Sequence, residues 1–342
     1  MFLLGTSYFF NSSQALQISF FIGSYTLISA FLFLIGFRLI GLFVIKIIEF
    51  CIRLNLLAFS ITSIVAVCLI FYSIFVNSFV FFEEIGIQNF LFKTIWAPEN
   101  YEIDPENSFG IIPLVINTFY ITLFSLIVSF VFGLLIAIHI SEYVKSKRIK
   151  FLLKSVFEIV AGIPSIFYGF FGAFFLAPWL VSFGKSFGFD VSVESIIVPG
   201  IAIGIMMIPY VATLLDDAFS TIPKTLKDSS TAMGLTKFET VKNLIIPISF
   251  PEIISTLIIV ISRVLGETMV VLLTCGIIAT MTINPLNPST TITVQIVHLL
   301  TGDTSFDTTK TLSVFALSLF LFIATLILNL ISIKIKNYSK KL

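Results

Sequence analysis

Two charged side chains, Arg263 and Glu267, stand four residues apart in the apolar stretch IVISRVLGETMVVLL. An arginine at the centre of a membrane helix costs roughly 2.5–3.5 kcal/mol on insertion scales. On a continuous helix, positions i and i+4 share one face, so Glu267 is expected beside Arg263 as its neutralising partner. Such a pair has two readings. It either locks two helices together or lines a polar route, and an ionisable pair facing a bundle interior marks a substrate pathway. A guanidinium offers planar, paired donors that suit an oxyanion, and it stays charged at any working pH. Glu267 would hold Arg263 between passages and repel the anion so that it leaves. A conduction site must attract enough to admit an ion and little enough to release it.

The elements that must carry these charges are membrane helices. The chain has 342 residues, of which 57% are hydrophobic and 11% charged, against about 25% charged in a soluble domain. Mean hydropathy is +1.08. The deficit of charge runs along the whole chain, which excludes a soluble domain with an anchor and predicts an all-α polytopic membrane protein. A span needs about 20 apolar residues; the candidates are 14–37, 55–82, 111–140, 153–182, 194–215, 248–281 and 311–333. Residues 38–54 mix Arg38, Lys46, Glu49 and Arg53 with apolar neighbours, the pattern of a surface helix. The N-terminus lacks the basic start and small-residue cleavage site of a signal peptide. Cys51, Cys68 and Cys275 all lie in apolar stretches and are expected as buried small hydrophobes. A net charge of +1 says nothing about partners.

Sixteen of the 20 basic residues fall in one alternating set of loops, from Arg38 through Lys145–Lys154 and Lys224–Lys242 to Lys341. Only Lys93, Lys185 and Lys310 fall in the opposite set. That asymmetry places the C-terminus and the segment 216–247 on the cytoplasmic side. The segment is too polar to span and reads as two helices. Pro223 suits a first turn with Thr221 as its cap. Gly234 supplies a left-handed stop, and Thr236 with Glu239 forms a capping box for the second helix. It is either a structured connector or a docking surface for a cytoplasmic partner. Asp216 and Asp217 read as a solvated helix end. The Pro164–Ser165 break, among Gly162, Gly169 and Gly172, is a kink or a gate exposing backbone N–H groups.

Three motifs carry a resemblance. Asp228-Ser229-Ser230, three residues, Gly234, nine residues and Leu244-Ile245-Ile246-Pro247 follow the spacing of the coupling loop of ABC importer permeases, with D-S-S where that family has E-A-A. AGIPSIFYGFFG at 161–172 and SRVLGETMVV at 262–271 resemble the signatures of phosphate importer permeases, and Met269 favours the PstC type. The run 109–143 and Trp96-Ala97-Pro98 are similar to the same group. The resemblance covers roughly residues 45–335.

It implies a type I ABC importer permease fold, with about six core spans and one extra N-terminal helix. The expected parts are an extra segment at 1–40; a surface helix, first core span and outward loop at 41–110; a transmembrane domain at 111–335; and a tail at 336–342. It implies a substrate pathway holding Arg263, Glu267, Thr268, Pro164 and Ser165, and an ATPase-docking loop holding Lys227, Asp228, Ser229, Ser230, Gly234 and Leu235. The implied substrate is inorganic phosphate. The implied partners are a PstA-type permease, a dimeric ATP-binding cassette ATPase, an extracytoplasmic phosphate-binding protein and the lipid of the cytoplasmic membrane, with no nucleic acid. Other oxyanions such as sulfate or molybdate are the nearest alternative; an ion-coupled secondary carrier and a scaffold subunit are remoter ones. A secondary carrier would show paired broken helices, and only one break, at Pro164, is legible. There is no Walker A loop, no HExxH, no GxSxG and no Cys/His cluster, so an intrinsic enzyme, a cofactor or a metal site is not expected.

Overall fold

The computed structural model describes residues 23–26, 28, 42–105, 107–281, 284–301 and 308–339. The expected N-terminal span at 14–37 falls almost wholly outside them. The chain divides into two compact units, 1–72 and 73–342, and the candidate site lies in the second.

The elements, in order, are helices α1 (Leu42–Ile85), α2 (Ile87–Phe92), α3 (Ile112–Ile138), α4 (Lys147–Ala161), α5 (Ser165–Phe171), α6 (Ala177–Ser186), α7 (Ile197–Ser220), α8 (Lys224–Ala232), α9 (Lys237–Thr240), α10 (Ile246–Ile248), α11 (Phe250–Leu265), α12 (Met269–Thr274), α13 (Ile292–Leu300) and α14 (Thr309–Ser339). Short π-helical turns extend α3 (His139–Tyr143), join α5 to α6 (Gly172–Leu176) and join α9 to α10 (Val241–Ile245). Among the described residues, five helices are long and apolar enough to cross a membrane, or six if one bent pair counts as a span. That pair is Lys237–Ile248 and Phe250–Leu265, bent by 69°. The expected all-α polytopic fold is borne out.

Three expectations about elements are corrected. Residues 42–54 form no separate surface helix. They open the 44-residue α1, where Glu49 and Arg53 pair at 2.6 Å one turn apart and so remove the charge mismatch that suggested a boundary. The expected span 153–182 is two elements. The amphipathic α4 ends at Gly162, and the membrane-length run Ser165–Ser186 begins after Pro164. The expected span 248–281 also breaks, after Leu265. Cys51 and Cys68 are exposed on α1, and only Cys275 is buried.

The core is centred on α3 against α7. In lipid there is no hydrophobic drive between helices, so close association relies on small residues that let backbones approach. Gly200 and Gly204 of α7 form a G-x-x-x-G pair. A Cβ on them would lie 2.7 Å from Cβ of Phe124 and 2.6 Å from Cβ of Val128. Gly133 of α3 returns the fit, where a Cβ would meet Val211 at 2.6 Å. Hydroxyls bond within the helices or across them. Thr122 donates to the Thr118 carbonyl at 2.8 Å, and Ser255 of α11 meets Ser332 of α14 at 2.8 Å.

A second cluster sits at the end of the bundle opposite the basic loops. Phe81, Phe90, Trp96 and Phe109 pack edge to face at 5.3–5.9 Å. Trp96 Nε1 donates to Gln295 Oε1 at 3.1 Å, and Gln295 Nε2 donates to the Ile277 carbonyl at 2.5 Å. The segment before α14 thus folds as the short helix α13, tied to the loop between α2 and α3.

Candidate functional site

The apolar run around Arg263 does not stay helical. Gly266 closes α11 at φ −90° and ψ 0°, Glu267 donates its N–H to the Val264 carbonyl at 3.0 Å, and α12 starts at Met269 after Thr268. The expected i, i+4 geometry therefore does not exist, and Arg263 and Glu267 form no ion pair. Each charge sits instead at a helix end that suits it. Arg263 is in the last turn of α11, and the Glu267 carboxylate accepts the Val270 N–H at the start of α12, at 3.4 Å. Cations favour helix C-termini and anions N-termini, by about 0.3–1 kcal/mol each at exposed sites. The break is pinned from outside, because Thr293 of α13 donates its hydroxyl to the Glu267 carbonyl oxygen at 3.0 Å. Thr268 is half-buried, and its hydroxyl donates to the Gly266 carbonyl at 3.3 Å.

Arg263 is exposed on this chain, not packed dry between helices. Its guanidinium carbon lies 4.6 Å from the centre of the Tyr210 ring. Tyr210 is half-buried on α7, directly after the internal Pro209. The cation is held by an aromatic face, where the sequence suggests a carboxylate.

A second break lies alongside. Pro164 is the residue before α5, at φ −56° and ψ 138°, an extended conformation that cannot continue α4. Pro164 is exposed and Ser165 half-buried. The hydroxyl of Tyr168 reaches back across the break to the Val160 carbonyl at 3.3 Å. α5 packs on α12 through Gly169, where a Cβ would come 2.7 Å from Leu273 and 3.2 Å from the Met269 carbonyl oxygen. The structure thus brings the first helix after Pro164 against the short helix after Glu267. The expectation of a single broken segment is corrected: among the described residues a second break, at Gly266–Thr268, adjoins the one at Pro164.

The loop 221–247 folds as two short helices. Pro223 precedes α8 as its cap residue rather than entering its first turn, and Thr221 closes α7 by donating to the Ala218 carbonyl. Gly234 turns at φ +86° with nothing within 4 Å of a Cβ, so its backbone conformation, not space, requires glycine there. The capping box forms: Glu239 N–H donates to Thr236 Oγ1 at 3.3 Å, and Thr236 N–H donates to Glu239 Oε2 at 2.8 Å. The Thr236 hydroxyl and backbone N–H hold the Glu239 carboxyl below its usual range.

The expected docking residues divide into two groups. Asp228, Ser229 and Gly234 are exposed, and Leu235 is half-buried. Ser230 is fully buried and hydrogen-bonds Thr240 at 2.9 Å, joining α8 to α9. Lys227 faces inward. Its ammonium meets Glu142 at 2.5 Å and the Phe219 carbonyl at 3.2 Å. Lys237 donates to the Glu142 carbonyl at 3.2 Å and lies over the Tyr143 ring at 5.4 Å. These contacts fasten the loop to the end of α3. The exposed apolar side chains of the two helices are Leu226, Met233 and Phe238, at 43%, 75% and 67% exposure.

Asp216 is also corrected: it is buried, not solvated. Its carboxylate meets Lys154 at 2.5 Å and Lys150 at 3.3 Å, both from α4. The same contact pushes the Lys154 ammonium above its ordinary pKa. Sequence reading missed Tyr210, Glu142 and the Asp216 role. Only spacing hints at them: lysines 150 and 154 share a helix face, and the glycines 200 and 204 mark which face of α7 is packed.

The sequence profile of the binding-protein-dependent transport system inner membrane component family matches residues 129–339. The probable phosphate transport system permease protein PstC of Methanocaldococcus jannaschii is 31% identical over 271 residues, covering 76% of this chain and 84% of that one. The probable ABC transporter permease protein YqgH of Bacillus subtilis is 26% identical over 256 residues, covering 72% and 80%. A bacterial ABC transporter involved in the import of the acidic polysaccharide alginate shares the fold at a TM-score of 0.56 and 16% identity, covering 86% of this chain and 98% of that one.

Proposed function

We propose, for a chain that belongs to the binding-protein-dependent transport system inner membrane component family, the role of PstC-type permease subunit in an ATP-driven importer of inorganic phosphate. Relatives named as phosphate permeases support the substrate. The observation that carries the chemistry is Arg263: an exposed guanidinium with no carboxylate partner among the described residues, placed at a helix break. Its N–H fork is open to the oxygens of an anion. Sulfate and molybdate present similar oxygens, and the names of the relatives favour phosphate over them.

Pro164, Ser165, Glu267 and Thr268 border the pathway as the ends of the two adjoining helices. Glu267 is not the counter-ion of Arg263 in this reading. Its carboxylate sets the start of α12 and adds negative charge near the route, which favours release of the anion. A second permease of the PstA type completes the pathway by facing the exposed side of α7 and α11. The basic loops and the C-terminus face the cytoplasm.

Two ATPase subunits dock on α8 and α9. Met233, Phe238 and Leu226 supply the apolar contact, and Gly234 sets the angle between the two helices. Lys227, Lys237 and Ser230 keep the loop rigid, so that ATP-driven closure of the ATPases moves α7 and α11. An outer phosphate-binding protein delivers the ion. The test is labelled phosphate uptake in cells lacking this chain, with and without the restored gene. Uptake that returns only with the gene and only with ATP supports the reading. Equal uptake in both overturns it.

A further inference from the structure

The ring of Tyr210 lies under the guanidinium of Arg263, 4.6 Å from its carbon. We infer that Tyr210 is the positioning residue for the anion contact, holding Arg263 by its aromatic face so that the guanidinium's hydrogen-bonding edge stays free for the oxyanion. The inference rests on Arg263 being that contact.

An arginine in a membrane bundle is ordinarily held by a carboxylate or by backbone carbonyls. A carboxylate would occupy the same N–H fork that recognises an anion. Among the described residues no acidic side chain pairs with Arg263: Glu267 is turned to the α12 N-terminus, and Asp216, the buried acid of α7, is taken up by Lys150 and Lys154. The partner that remains is the Tyr210 ring at 4.6 Å. A ring face attracts the cation through its quadrupole and uses none of its N–H donors. It also limits where the guanidinium can go, since the long side chain would otherwise sample many rotamers.

Tyr210 and Arg263 come from α7 and α11, the helices that run into and out of the docking loop. The contact therefore joins the anion site to both arms of the element that the ATPase moves. The ring, not the hydroxyl, is assigned the role, since among the described residues the Tyr210 hydroxyl has no hydrogen bond and the ring has the stacking contact.

The experiment uses the assembled importer, with its partner permease, ATPase and binding protein, in proteoliposomes. ATP-driven uptake of labelled phosphate and ATP hydrolysis are measured together for Tyr210→Phe, Tyr210→Trp, Tyr210→Leu and Tyr210→Met. An exposed cation–π contact is worth about 0.5–1 kcal/mol, so its loss lowers uptake about two- to fivefold. The expected result is that Phe and Trp keep uptake and that Leu and Met lower it by that factor. Hydrolysis stimulated by the binding protein stays level throughout, so fewer ions move per ATP. Leu and Met have bulk but no ring face, which separates positioning from packing.

Uptake by Tyr210→Leu equal to the parent overturns the inference. So does a loss in Tyr210→Phe as deep as in Tyr210→Leu, or a parallel fall of hydrolysis and uptake in all four variants. Should the parent importer carry sulfate and not phosphate, the same series is read with labelled sulfate. The substrate assignment then fails, while the role of Tyr210 stands or falls on its own pattern.

Discussion

Arg263 defines the account at the scale of single residues. Its identity as a possible anion contact was legible from one charge in an apolar run. Its partner was not legible, because the inference from i, i+4 spacing presumes an unbroken helix. Gly266 ends that helix, and the exchange of a carboxylate for the Tyr210 ring depends on contacts between α7 and α11 that lie more than 50 positions apart in the sequence. Lysine keeps the charge and loses the planar fork, so Arg263→Lys is expected to lower phosphate uptake at least about tenfold, about 1.4 kcal/mol in transition-state terms. Uptake assays on vesicles holding equal amounts of assembled complex check this. Glu267→Gln can still accept the Val270 N–H and is expected to keep assembly and to lower stability only by the lost charge at the helix end, about 0.3–1 kcal/mol. Glu267→Ala removes that acceptor as well as the charge and is expected to lower stability further, by about 0.5–1.5 kcal/mol. Thermal unfolding of the two purified complexes compares them.

Among elements, the motif of the loop 221–247 was legible from local signals. Gly234 and the Thr236–Glu239 box are local signals, and both appear where their spacing puts them. The inward turn of Lys227 was not legible, because Glu142 lies 85 positions away. Gly234→Val forces a branched side chain into a left-handed conformation, at roughly 1–2 kcal/mol, and is expected to reduce co-purified ATPase. Gly234→Asn, a residue that tolerates this conformation, is expected to retain it.

The capping box adds a pH dependence. The folded-state pKa of Glu239 lies below its unfolded value. Its contribution is therefore complete above the ordinary carboxylate range and is lost as pH falls through the folded value. Protection of the amides at 236–240 from hydrogen exchange is expected to hold from pH 7 to about 5 and to fall on further acidification.

The clamp of α4 on α7 is a separate test. Removing both Lys150 and Lys154 as methionines leaves Asp216 buried and unpaired, for about 3–5 kcal/mol of destabilisation. Adding Asp216→Asn is expected to restore part of it, as measured by thermal unfolding.

For the whole molecule, composition alone gave the class: a chain with 11% charged residues has no soluble solution. Spans of even hydropathy, Ile112–Tyr143 and Ile197–Ser220, were placed to within a few residues. The two broken helices were not, since hydropathy is blind to a turn that stays among apolar residues. Those breaks are where the side chains proposed for the pathway gather, and irregular backbone at membrane depth is tolerated only where protein or a wet cavity satisfies it.

The central claim is that these breaks, in complex with a second permease and an ATPase, form an ATP-driven route for phosphate. The most direct measurement is uptake of labelled phosphate into proteoliposomes of the reconstituted importer, with excess unlabelled phosphate, sulfate or molybdate as competitors. The expected result is ATP-dependent accumulation that unlabelled phosphate suppresses and the other two anions do not. Accumulation driven by an ion gradient without ATP, or suppressed equally by sulfate, would contradict it.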